Sequence, residues 1–322
     1  EYKFAGSKRD KYTQVGNAVP CLLARAIAES LISHLLIPSD EYAELLEIWE
    51  TKIRGKKTSE IPVTKSDGDL GHWIQLQFGQ EKDADKDADW KGLEIKTGRQ
   101  KTSFGDWGPS QWMWTTNKGK KNENKGLYPD IIKNQDQFVT MFGKPITTES
   151  PRYKRKYEKG LVVGSEGYKK KKEELLGRRS WSSTRPKIKD FNDAGSKLIV
   201  NSDNSIEAIY VYDYDQRSDK SELVDKKFHT GTVTIARWEA NKLENHINLK
   251  FNQKGWVKFV EKDGIYVQIQ LFPTINLSTF LKWVKEGLVY FDTGMYEGNP
   301  KPYCTWRASN VNMSQFAYKI ID

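Results

Sequence analysis

Cysteine is scarce in this chain: Cys21 and Cys304 are the only two, with no CxxC pair and no His/Cys cluster. That spacing excludes a disulfide framework or structural zinc site and predicts a reducing, cytoplasmic compartment. Histidine is as sparse. His34, His72, His229 and His246 are scattered without paired spacing, which argues for solvated or core roles over metal binding or general-base work. Long apolar runs are also missing. The best stretch, Cys21 to Ile37, is broken by Arg25, Glu29, Ser30, Ser33 and His34, well short of the ~18 consecutive apolar residues of a spanning helix. The glycines between Gly160 and Gly167 lack the phosphate-loop pattern. No charged-then-apolar leader is present, and the chain opens on Glu1 rather than Met, which leads us to expect part of a longer polypeptide.

What is present is core-forming material and positive charge. Of 322 residues 37% are hydrophobic and 12% aromatic, enough for a packed core and, by length, about two domains. The formal charge is +9, and residues 151–190 alone carry 14 Lys/Arg against five acids. A charge run is commonly a solvated loop. Here Tyr153, Tyr157, Tyr168 and Trp181 are interleaved with it, the mixture that suits phosphate contact and base stacking. Nucleic acid is the expected partner. Trp107, Trp112 and Trp114 are read as core or a lid over it, with base contact the alternative.

Residues 19–37 repeat apolar positions at three- and four-residue steps between Pro20 and Pro38 and predict an amphipathic helix. A second helix over 40–53 leads into the polar Arg54-Gly55-Lys56-Lys57-Thr58-Ser59, read as a linker, with the domain boundary at 55–69. Beyond it we expect a short helix at 70–78, strands at 93–97, 196–214 and 231–237, and a 257–272 hairpin around Lys262-Asp263-Gly264. A helix at 277–286 and paired strands at 288–292 and 303–308 complete an α+β class.

Tyr12 to Ser30 reads YTQVGNAVPCLLARAIAES. It resembles the closing motif of DNA (cytosine-5) methyltransferases, in which a Gly-Asn turn passes the S-adenosylmethionine pocket; by that resemblance Gln14, Gly16 and Asn17 match lining positions. The family's glycine loop and catalytic Pro-Cys and Glu-Asn-Val elements are missing. Cys21 lies inside the closing motif and is not read as a nucleophile. Residues 1–54 are thus expected to be a helical remnant, 55–69 a linker, and 70–322 a second, separate domain.

The chemistry of that second domain is suggested by DADKDADWKGLEIKTG at 83–98, where Asp89, Glu94 and Lys96 are spaced D-x4-E-x-K. Residues two apart share a strand face, so Glu94 and Lys96 project together while Leu93 and Ile95 enter the core. With Asp89 across the Trp90-Lys91-Gly92 turn, two carboxylates are placed to hold a hard divalent cation, Mg²⁺ being the natural choice. Lys96 would then orient or help deprotonate a water for in-line attack on a phosphodiester. The competing reading is an ordinary strand with exposed Glu and Lys. Asp83, Asp85 and Asp87 read as solvated loop.

This constellation resembles the PD-(D/E)XK nucleases, in particular the MutH-like branch containing the MvaI/BcnI restriction endonucleases, over residues 66–322. The likeness rests on the helix Gly71 to Gly79, on Asp89, Glu94 and Lys96, on Gly287 to Asp292, and on Thr305-Trp306-Arg307. Gln75 stands fourteen positions before Asp89, where the branch carries an acid; it brings no charge and is expected to assist through a water-mediated bond. The resemblance implies base reading by Arg307 and Asp292, whose duller alternatives are a phosphate clamp and a strand end. The arginine the branch carries two residues after that Asp is Gly294 here. It also implies a PD-(D/E)XK core, a monomer cutting one strand and then the other, double-stranded DNA as substrate, and a fused or adjacent cytosine-5 methyltransferase as partner. Arg152, Lys154, Arg155, Arg178, Arg179 and Arg185 are the expected backbone or groove contacts. A DNA-binding module without catalysis, serving the methyltransferase, is the alternative; a nickase is a third.

Overall fold

The computed structural model of the protein describes residues 39–61, 67–80, 87–98, 100–118, 122–154, 165–183, 188–192, 194–215, 220–299 and 301–322, with positions 7, 23, 27 and 186. The methyltransferase-like motif, apart from positions 23 and 27, and Asp83, Asp85, Arg155 and Arg185 lie outside the described residues, as does the Arg152 side chain.

Helical periodicity starts the described chain. α1 (Ser39–Ile48) runs into a π-helical turn (Trp49–Ile53), which the Arg54 N–H closes on the Trp49 carbonyl at 2.8 Å. Leu45, Ile48, Trp49 and Ile53, three or four residues apart, are its buried face. After α2 (Asp67–Gln77) come β1 (Glu94–Lys96), β2 (Lys101–Gly105), β3 (Gln111–Trp112), β4 (Thr116–Lys118) and β5 (Asn122–Asn124). α3 (Gln135–Phe142), N-capped by the Asn134 side chain, leads to β6 (Lys144–Pro145). The basic segment supplies α4 (Pro151–Lys154), α5 (Glu166–Glu173) and β7 (Arg179–Ser183). There follow β8 (Ser196–Val200), β9 (Ile206–Val211), β10 (Thr232–Trp238), α6 (Ala240–Lys250), β11 (Trp256–Lys262) and β12 (Ile265–Phe272). α7 (Leu277–Lys285), β13 (Val289–Tyr296), β14 (Tyr303–Ser309), α8 (Asn310–Ser314) and β15 (Lys319–Ile321) end the chain.

The strands form a mixed sheet β1-β11-β12-β15, an antiparallel sheet β2-β14-β13-β7-β6, another ordered β3-β10-β9-β8, and the small pair β4-β5. Among the described residues only β1 and β11 run parallel, with Glu94 opposite Trp256, Ile95 opposite Val257 and Lys96 opposite Lys258. The α+β class expected from sequence is what the structure shows.

The mixed sheet separates two apolar cores. One face packs Ile95, Val257, Phe259 and Leu271 against Trp49, Ile74 and Phe78 of the first two helices. The other packs Trp256 and Phe272, ring centroids 3.7 Å apart, into the larger core around Phe104, Trp238, Phe280 and Trp306. That stack contributes about 0.5–1.5 kcal/mol beyond burial alone. Glu94, Lys96 and Lys258 lie on this second face, at the seam with the five-stranded sheet.

Two expectations change and one holds. Residues 54–61 are no linker: the Gly55 and Thr58 N–H groups donate to the Tyr266 and Gly264 carbonyls (2.9 and 2.7 Å), and Ile61 is buried. Glu41 and Glu44 pair with Lys254 and Lys91, both at 2.5 Å, so residues 39–61 pack as part of the presumptive second domain. The reason is a buried apolar face, Leu45, Ile48, Trp49 and Ile53, that packs into the core shared by α2, β1 and the β11–β12 hairpin. The 196–214 stretch is a hairpin rather than one strand, because Asn204 takes the left-handed conformation (φ 62°). Trp107, Trp112 and Trp114 are buried core.

Lys258 joins the sheets from inside. It is 1% exposed, its ammonium donates to Thr102 Oγ1 on β2 at 3.0 Å, Thr102 donates to Asn310 Oδ1 at 3.0 Å, and Asn310 Nδ2 donates to the Gly98 carbonyl at 2.8 Å. Burial lowers its pKa to about 7 from ~10.4 in the unfolded chain. The unfolded state therefore binds more protons between these values, so stability is lost as pH falls through about 7 and recovered towards ~10. Lys258→Met is expected to remove this slope and to raise stability at pH 7, as measured by urea unfolding across pH. An unchanged slope in the variant would contradict the assignment.

Candidate active site

The turn that separates Asp89 from Glu94 is a two-residue hairpin: the Trp90 and Leu93 N–H groups donate to each other's carbonyls at 3.0 and 2.7 Å. Lys91 and Gly92 both have positive φ (47° and 85°), the type I′ geometry that suits the right-handed strand twist. A Cβ on Gly92 would meet the movable end of the Gln253 side chain at 2.9 Å, so it is the positive φ that calls for glycine here.

Asp89 is fixed on the free edge of β1. Its Oδ2 accepts the Ile95 N–H at 2.8 Å, and its Oδ1 accepts the Gln75 side-chain amide at 2.6 Å. Gln75 thus orients the aspartate directly. Glu94 is fully buried, and such a charge requires close compensation. Lys96 Nζ bonds its Oε1, as expected for residues sharing a strand face. A second ammonium, Lys250 Nζ from the last turn of α6, lies 3.1 and 3.4 Å from the two carboxylate oxygens. Lys96 also sits 5.5 Å over the Phe251 ring, in cation–π range.

The carboxylate oxygens of this donor set suit a hard cation, which at Glu94 would have to compete with the Lys96 and Lys250 ammonium groups that already balance the charge. Among the described residues no group of three His, Cys, Asp or Glu could hold a metal ion. Asp89 and Glu94 would therefore hold one with water, backbone carbonyl and substrate oxygens completing the shell, as suits Mg²⁺.

The expected base readers come together elsewhere. Asp292 (β13) and Arg307 (β14) lie on the polar face of the five-stranded sheet, opposite Phe291 and Trp306, with Arg307 Nε 3.4 Å from Asp292 Oδ2. The Tyr303 hydroxyl meets the same guanidinium. Arg307 is also paired in register with Ser103 of β2, and Thr102, next along β2, contacts Lys258. Of the basic segment, Lys169, Lys170 and Lys171 on α5 are exposed, and Lys172 lies over the Tyr153 ring at 4.6 Å. Lys154 pairs with Glu149 at the surface. Arg178 is half-buried, its carbonyl accepting the Ile146 N–H at 2.8 Å. Arg179 donates to the Gly143 carbonyl, and its own N–H to Glu297 at 2.9 Å, so its contacts are with the fold itself. Sequence reasoning missed Lys250 and Lys258; both come from distant parts of the chain, and only the strand register or the end of α6 could have pointed to them.

Known proteins are similar to this chain. The model of the LlaMI restriction endonuclease family matches residues 53–317. The type II restriction enzyme ScrFI of Lactococcus lactis subsp. cremoris is 30% identical over 287 residues, covering 83% of this chain and 93% of that enzyme. Restriction endonuclease MvaI in complex with cognate DNA substrate gives a TM-score of 0.44 at 12% identity, covering 87% of this chain and 98% of that one. MvaI in the absence of DNA gives 0.34 at 11%, covering 79% and 85%; both scores are too low to carry an argument about fold. With four-fifths of its length matched by the family model and a relative aligned over nearly all of that enzyme, the chain belongs to the LlaMI restriction endonuclease family.

Proposed function

We propose that the protein is a type II site-specific deoxyribonuclease of the PD-(D/E)XK, MutH-like type, hydrolysing both strands of a short, G·C-rich duplex site with Mg²⁺. The observation that carries this reading is the buried Glu94 carboxylate, ringed by ammonium groups, one tight turn after an Asp89 anchored to the same strand. A bound Mg²⁺ would supply Lewis-acid polarisation and charge neutralisation at the scissile phosphate. Gln75 and the Ile95 N–H orient Asp89. Lys96, held between Glu94 and the Phe251 ring, presents an ammonium that orients the attacking water and balances charge developing on phosphate oxygens. The exposed lysines of α5 meet backbone phosphates, and Arg307, steered by Asp292, reads a guanine edge.

The methyltransferase-like motif at 12–30 supports a restriction-modification context, with a cytosine-5 methyltransferase fused or adjacent and the enzyme acting as a monomer. A second reading, a DNA-binding module without catalysis, draws on Gln75 in place of an acid. It predicts binding without metal dependence and without cleavage.

Plasmid cleavage in Mg²⁺ separates these readings. Asp89→Asn, Glu94→Gln and Lys96→Met are each expected to lower the single-turnover rate by at least about a hundredfold, with duplex binding retained; wild-type rates in any of them would remove the assignment. Arg307→Ala is expected to cost about 1–3 kcal/mol of discrimination at one base pair, read from cleavage of singly substituted sites. Uniform weakening on all sequences, with a shallower salt dependence, would make Arg307 a phosphate clamp.

A further inference from the structure

Two ammonium groups meet one buried carboxylate at Glu94, and they are not equivalent. Lys96 shares β1 with Glu94 two positions away, and its ammonium also sits 5.5 Å over the Phe251 ring. Lys250 arrives from the last turn of α6, and its Nζ straddles both oxygens at 3.1 and 3.4 Å. That bridging position over both oxygens is one a metal ion takes on a bidentate carboxylate. An incoming divalent cation and the Lys250 ammonium therefore address the same lone pairs. Both lysines have the same four-carbon stem, but Lys96 bonds Oε1 alone and its ammonium also lies over the Phe251 ring, whereas Lys250 spans both oxygens from a helix end, with a fifth of its side chain exposed.

We propose that Lys250 is the displaceable counter-cation of Glu94: it positions the carboxylate until a divalent cation takes its place, and it sets how tightly that cation is held. This rests on the reading of Glu94 as a metal ligand. On its flexible stem the displaced ammonium would stay within reach of the carboxylate it left. An ion that must first displace an ammonium binds weakly to the protein alone. It binds more firmly once substrate phosphate gives that ammonium another partner, which links metal loading to the presence of DNA.

The test is Mn²⁺ binding to the full chain without DNA, counting free ion by electron paramagnetic resonance. Lys250→Gln leaves Lys96 to balance Glu94 and removes the competitor; a charged hydrogen bond of this kind corresponds to about tenfold tighter Mn²⁺ binding. Lys250→Arg, whose planar fork grips a carboxylate better than an ammonium, is expected to bind Mn²⁺ several-fold more weakly than wild type. It also serves as the informative variant if Lys250→Gln fails to fold. In parallel, the Mg²⁺ concentration giving half-maximal cleavage should fall for Gln and rise for Arg. Unchanged affinity in the folded variants, or weaker binding in Lys250→Gln, would overturn the proposal by making Lys250 a support of the site. Glu94→Gln separates the two layers. If Mn²⁺ binding survives that change at wild-type strength, the metal reading of Glu94 itself fails; if it is lost while Lys250→Gln leaves wild-type binding unchanged, only the inference about Lys250 fails.

Discussion

A carboxylate with no exposure to water is the constraint around which this molecule is arranged. Glu94 is pinned by strand register beside Trp256, between two cores, where an isolated charge would cost several kcal/mol. Its balance comes from both directions in the chain, Lys96 from its own strand and Lys250 from the helix that precedes the parallel partner strand. A parallel pair requires a long crossover, and here that crossover ends in α6, whose last turn reaches the carboxylate. Parallel pairing and charge balance are thus one structural solution.

The surroundings keep that arrangement stiff and connected. The type I′ turn delivers Asp89 to the edge of β1, and α1 braces the turn through Glu44 and Lys91. The Glu44 carboxylate, hydrogen-bonded to Lys91, raises that lysine's pKa above its ordinary value. On the other side the Lys258, Thr102 and Asn310 chain ties the mixed sheet to the strand that lies beside β14, which carries Arg307. These hydrogen bonds join the five-stranded sheet to β11 directly.

Much of this was legible beforehand wherever it depended on local rules. Period-two alternation placed Glu94 and Lys96 on one face, and Gly92 marked the turn. The Asp263-Gly264 hairpin and the strands carrying Asp292 and Arg307 followed from turn residues and apolar runs. What escaped was non-local. Lys250 is 156 positions from Glu94, and nothing in NLKF marks it as different from any helix-terminal lysine. Residues 54–61 read as a linker because their composition is polar, yet their backbone groups pair with the β11–β12 hairpin. Arg179 belonged to a basic run that suggested DNA, but its guanidinium instead satisfies the carbonyl that ends α3. Composition describes the partners available to a segment; tertiary register selects among them.

We propose that Asp89 and Glu94 share one divalent cation. Crystals soaked in Mn²⁺ and measured at the manganese absorption edge test it most directly. The account predicts one anomalous peak within about 2.5 Å of oxygens from both carboxylates, with the Lys250 ammonium moved off Glu94. A peak elsewhere, or none at this seam with Lys250 still bridging both oxygens, would contradict it.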